Sequence, residues 1–162
     1  PKDVGLILTE ANLHIKLDQK EEFARLMEEA IRLDPNNPVL YYNLGVISAE
    51  QGEMDKAKDY YKKAIEIDPN YTDAYINLGS AMLDADKALV EQMNQNLSNF
   101  KKYDEIKAKQ VDLYKEVIPI YEKANAIKPN DMDIVRTLMS LYENTENDSK
   151  YKEMKAIYDS LR

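Results

Sequence analysis

Residues 41–69, YYNLGVISAEQGEMDKAKDYYKKAIEIDP, decide the fold class. Leu44 and Gly45 lie in the first half, Gly52 near the middle, and Ala57, Tyr61, Ala64 and Pro69 in the second. Ala57, Tyr61 and Ala64 follow at intervals of four and three, which places them on one stripe of a helix. Gly45 lacks a side chain, so two helices can approach closely there. Ala57 and Ala64 present the facing small stripe, and Tyr61 fills the space between. Pro69 closes the second helix, because proline cannot continue the hydrogen-bond ladder. A short helical hairpin follows.

This stretch is one copy of a repeat. DPNNP at 34–38 recurs as DPNYT at 68–72 and as KPNDM at 128–132. Pro35 and Pro69 are 34 residues apart, and Pro69 and Pro129 are 60 apart, which is 34 plus 26. Tyr75, Leu78 and Gly79 repeat the start of the block, and Tyr121, Ala124 and Pro129 repeat its end. An earlier copy has Glu10 and Ala11 for Leu–Gly but keeps Phe23, Met27, Ala30 and Pro35. A last copy keeps Leu138 and Tyr142 and has Met139 for the small residue. Its second helix sets Tyr151, Met154, Ile157 and Leu161 against outward lysines, as a terminal helix with one wet side would.

The period, the small residue and the closing proline in this order resemble the tetratricopeptide repeat. The resemblance implies an all-α, right-handed solenoid of about four helix–turn–helix repeats. Their spans are about 4–37, 38–71, 72–131 and 132–162, in a single domain. The Asn and Asp residues after each Pro are expected to cap the next helix.

The 26 extra residues of the third repeat hold no Gly and no Pro over about 86–116. Apolar residues keep helical spacing on both sides of 94–101, which reads as the turn. Both helices of this repeat are therefore expected to lengthen by about 12 residues, or roughly 18 Å, into an antiparallel hairpin. Pro119 is expected to kink the second of them near 115–117. Six acidic and six basic residues over 86–116 make the insertion neutral. It is either a rigid ornament, replaceable by a short turn, or a second contact surface. The segment YDEIKAKQVDLYKEVIPIYEKANAIKPND is similar to the C-terminal part of multi-repeat tetratricopeptide proteins of the Gram-negative bacterial envelope. That resemblance implies the C-terminal portion of a longer array and leans towards an exported, periplasmic protein. The residues themselves leave localisation open, since the chain begins with Pro1, as expected after processing or cutting.

The formal charge of −8 and a pI near 4.8 repel phosphate backbones, so a nucleic-acid partner is not expected. No apolar run reaches the roughly 18–20 residues that span a bilayer. With no Cys and a lone His14, no metal, cofactor or catalytic constellation is expected. His14 takes a position usually held by a core aromatic, and Glu21–Glu22 and Glu28–Glu29 diverge on consecutive helical positions. The apolar first helix, with Leu6, Leu13, Ile15 and Leu17, is expected to be exposed in part and to favour self-association.

In tetratricopeptide arrays the first helices line a concave groove. The resemblance implies groove positions at Leu8, Asn12, Tyr42, Asn43, Val46, Ile76, Asn77, Ser80, Arg136 and Ser140. Chaperone-binding members clamp a carboxylate with cations beside Asn residues. At the matching positions this chain has Leu8–Asn12, Asn43 and Asp73–Asn77, without the cations. The expected function is a non-catalytic scaffold that holds an apolar or mildly basic protein segment. The alternative is an architectural, self-assembling segment.

Overall fold

The computed structural model of the chain describes residues 3–162. Among them are eight α-helices and no strand: α1 (Val4–Lys16), α2 (Lys20–Leu33), α3 (Pro38–Glu50), α4 (Met54–Ile67), α5 (Thr72–Gln95), α6 (Phe100–Ile127), α7 (Met132–Asn144) and α8 (Asp148–Ser160). The fold is the all-α series of helix–turn–helix repeats that the period implies. It divides into two compact units, one ending at Ala74 and one over Tyr75–Arg162, with the division inside α5.

In the unit ending at Ala74, short polar side chains start the first helix of each pair. The Asp3 carboxylate accepts from the Gly5 amide at 2.7 Å, and the Asn37 side chain accepts from that of Val39 at 3.2 Å. Gly52 turns from α3 to α4 with φ +78°, and Asp18, one period earlier, adopts φ +56° between α1 and α2. The core joins Ile7 and Ala11 of α1, Phe23, Leu26, Met27 and Ala30 of α2, and Leu40, Leu44 and Ile47 of α3. Gly45 lies directly against the Tyr61 ring, where a Cβ would come within 2.5 Å of a ring carbon.

Helix α5, which crosses the division, and α6, in the unit over Tyr75–Arg162, have 24 and 28 residues, against 13 or 14 in every other helix. The turn between them is residues 96–99, shorter than the 94–101 expected, because Asn99 caps α6 by accepting from the Lys102 amide at 3.2 Å. Helix α6 continues through Pro119 without a break. Pro119 and Lys115 are both exposed, so the hydrogen bond that proline forgoes lies on the wet side. Tyr114, Val117, Tyr121 and Ala124 of α6 pack with Ile134, Val135, Leu138, Leu141 and Tyr142 of α7 and Met154 of α8. Asp131 caps α7 by accepting from the amides of Asp133 and Ile134.

Candidate functional site

The residues expected to line the groove fall on α1 and α3 of one unit and on α5 and α7 of the other. On α1, Leu8 is half-buried against the core and Asn12 is exposed. On α3, Tyr42, Asn43 and Val46 are half-buried. Tyr42 is not a free surface ring. It packs on Tyr71 with centroids 5.0 Å apart and on Tyr61 at 5.9 Å, an aromatic trio that ties α3 to α4 and to the approach to α5. Burial, then Tyr42 and the acidic neighbours Asp73 and Asp68, push the Tyr71 hydroxyl up to about 12. Asn43 has no side-chain hydrogen bond among the described residues, so its amide is available.

In the other unit, Ile76 and Asn77 are half-buried and Ser80 is exposed on α5. Ile76 rests on the core, and its carbonyl accepts from the Tyr121 hydroxyl at 3.4 Å. Arg136 and Ser140 are exposed on α7. Arg136 donates to Asp133 at 2.6 Å, and the Ser140 carbonyl accepts from the Asn144 amide at 2.8 Å. The Arg136 guanidinium thus already holds a carboxylate of its own helix. His14 is half-buried, with Nδ1 2.6 Å from the Gln19 side-chain oxygen.

A polar cluster that the sequence analysis does not anticipate lies at the base of the long hairpin. Gln110, which shares the spacing of an apolar stripe, is only 4% exposed. Its amide donates to the Asp86 carboxylate at 2.7 Å and its carbonyl accepts from Lys107 at 3.0 Å, while the Tyr114 hydroxyl donates to Asp86 at 2.9 Å. Burial and the Asp86 carboxylate push the Tyr114 hydroxyl up to about 12. A buried carboxamide at helical spacing, with an acid in the facing helix, is the signal that could have revealed it. At the far end of the hairpin Leu97 and Phe100 are exposed. Among the described residues no group of metal-ligating side chains converges, and no helix is long and apolar enough to cross a membrane.

Three models of the tetratricopeptide repeat match the chain, at residues 6–37, 38–71 and 60–108. No protein with a curated description matches it. Several solved structures share the fold. The first TPR of Spaghetti (RPAP3), bound to the HSP90 peptide SRMEEVD, is 18% identical with a TM-score of 0.63, over 86% of this chain and 93% of that one. The Arabidopsis OM64 TPR domain is 18% identical with a TM-score of 0.62, over 86% and 94%. A mutant O-GlcNAc transferase of Thermobaculum terrenum is 16% identical with a TM-score of 0.58, over 86% of this chain but 22% of that one. At these identities the likeness is one of fold. The 34-residue period, the Gly45–Tyr61 packing one copy apart from Gly79–Tyr121, and the matching repeat models lead to one conclusion: the chain belongs to the tetratricopeptide repeat family.

Proposed function

We propose that this protein is a non-catalytic interaction scaffold that holds an apolar segment of a partner polypeptide against its first helices. The observation that carries this is the residue set at the clamp positions. A structural neighbour at 18% identity holds the peptide SRMEEVD, which carries three acidic side chains. At the clamp positions that the family resemblance implies, this chain has Leu8, Asn12, Asn43, Asp73 and Asn77, with no cation among them. An acidic tail gains no charge-assisted bond there and meets a protein of charge −8. In the unit ending at Ala74, Leu8 and Val46 instead offer half-buried apolar surface, and the Asn43 amide can pair with a peptide backbone.

Ligands recovered on the immobilised chain should carry an apolar segment and stay bound as salt is raised. Asn43→Ala should weaken them about 5- to 10-fold, the loss of one hydrogen bond near 1 kcal/mol, without moving the melting temperature. Tyr42 is a poorer choice, because its removal also opens the Tyr61–Tyr71 packing. Retention of the ligand by Asn43→Ala and Val46→Asp, with release by Phe100→Ala at the hairpin tip, would move the binding surface to the insertion.

A second reading, self-assembly, is favoured by α1. Leu6 and Leu13 are 71% and 56% exposed, whereas Leu40 and Ile47, one period later, are buried. In α3 these positions are covered by the preceding pair, since α2 packs on α3. Light scattering should give a mass that grows with concentration in the parent and stays monomeric in Leu6→Glu/Leu13→Glu. A monomer at every concentration in the parent rules this reading out.

A further inference from the structure

A recess of about 660 Å³ opens between α2, α3 and α4, within the unit ending at Ala74. Ala24, Leu44 and Ile47 give it one apolar wall beside the polar ones, and Tyr60 lines it from α4. At about 100° per residue, Leu44, Ser48 and Gln51 lie roughly opposite Tyr42 and Val46 on α3, so this is not the expected groove. Its charges are unbalanced. Arg25 is bonded to Glu22 at 2.6 Å and lies 3.7 Å from Glu29, and Lys56 sits 2.9 Å from both carboxylate oxygens of Glu53. Glu21 and Glu28 also line the recess and have no ion pair among the described residues. So does Ser48, only 6% exposed, whose hydroxyl makes no hydrogen bond among the described residues.

The chain contains its own reference for this site. Asn37 and Asp131 cap α3 and α7, and Pro35 and Pro129 follow α2 and α6, so positions 94 apart correspond. On that shift Glu28, Leu44, Ser48, Lys56 and Tyr60 become Glu122, Leu138, Tyr142, Lys150 and Met154. These line a smaller recess of about 310 Å³ between α6, α7 and α8. There the carboxylate is satisfied from within. The Tyr142 hydroxyl donates to Glu122 at 2.7 Å, and the Lys150 ammonium pairs with the same oxygen. Lys150 also lies 5.4 Å from the centroid of the Tyr142 ring. In the larger recess the short Ser48 leaves open the space that Tyr142 fills, and Lys56 is turned to Glu53 instead of Glu28.

We propose that the α2–α3–α4 recess is a second docking site, which takes a lysine side chain of a partner polypeptide. The aliphatic stem lies along Leu44, Ile47 and Tyr60, and the ammonium meets the Glu28 carboxylate as Lys150 meets Glu122. An ammonium brings three donors, which Glu28, Glu21 and the Ser48 hydroxyl can accept. Apolar walls with a charged end suit a long stem that carries its charge at the tip.

The test uses a short acetylated and amidated peptide with one lysine among alanines, and the same peptide with norleucine, which keeps the stem but has no ammonium. Each is titrated into the isotope-labelled full chain, and amide signals are followed. The lysine peptide should move the signals of Glu28, Ser48, Gln51 and Tyr60, and added salt should weaken it. The norleucine peptide should move them severalfold less. Glu28→Gln, a surface change that keeps the fold, should weaken lysine binding severalfold. Ser48→Tyr, which installs the residue that closes the equivalent recess, should abolish it in a folded protein. Equal shifts with the norleucine peptide would overturn the proposal, as would Glu28→Gln binding the lysine peptide like the parent. Asn43→Ala should leave this binding unchanged, so its outcome is separate from that of the first-helix reading.

Discussion

Gly45 and Tyr61 share one volume between α3 and α4. The same register holds Gly79 and Tyr121 in the third pair, and Ala11 and Met27, both buried, in the first. Where the first-helix residue gains a Cβ, the second-helix residue loses its ring. Gly45→Ala forces a carbon to within 2.5 Å of the Tyr61 ring and should cost about 1–3 kcal/mol in chemical denaturation. Adding Tyr61→Met should recover part of that loss, because a flexible thioether yields where a ring cannot. A double-mutant cycle should therefore report a favourable coupling, and strictly additive costs would refute this pairing. The partners were legible in the sequence, since the small residue recurs after 34 residues and the ring after 34 plus the 26-residue insertion. The ring contacts of Tyr42 were not, because its sequence position marks only a first-helix face.

At the scale of the element, α5 is long because its stop signal is missing. Gly52 leaves α3 with φ +78°, and Asp18 and Glu146, in the same register, each take φ +56°. One period after Gly52 stands Asp86, which stays helical, and α5 runs on to Gln95. The Asp86 carboxylate then receives Gln110 and Tyr114 from α6, 24 and 28 residues away. Asp86→Ala should cost about 1–3 kcal/mol in thermal or urea unfolding, because it leaves the buried Gln110 amide unsatisfied. Asp86→Asn should cost less, since an amide oxygen still accepts. Unfolding of Asp86→Ala at the parent's midpoint would mean that the cluster adds no stability. Excision of the hairpin should spare these residues, because Tyr114 belongs to the core. The lengthening was legible as helical spacing without Gly or Pro. The cluster was not, because no local spacing says which acid an internal amide will meet.

Over the whole molecule, buried and half-buried tyrosines link stability to alkaline pH. Tyr71 and Tyr114 are pushed up from 10.0 to about 12, by burial first and, for Tyr114, by its bond to Asp86. Tyr142 is raised as well, by burial and by the Glu122 carboxylate. Above pH 10.0 the unfolded chain releases phenolic protons that the folded chain keeps. Stability is thus full below that pH and falls as pH rises towards about 12. Phenolate absorbance and helicity should change together in that window. Tyrosines that all titrate near pH 10.0 with helicity intact would contradict it. The sequence by itself determined the helical class, the period, the helix starts at Asn37 and Asp131, and the close approach at Gly45 and Gly79. Each of these is a steric or hydrogen-bonding consequence of residues at fixed local spacing. Only the tertiary structure decided that Asp86 meets Gln110, that Tyr42 lies against Tyr71, and that Glu122 finds its own lysine while Glu28 does not. Those outcomes depend on which side chain reaches across from another helix, and two registers with the same spacing can resolve that competition in opposite ways.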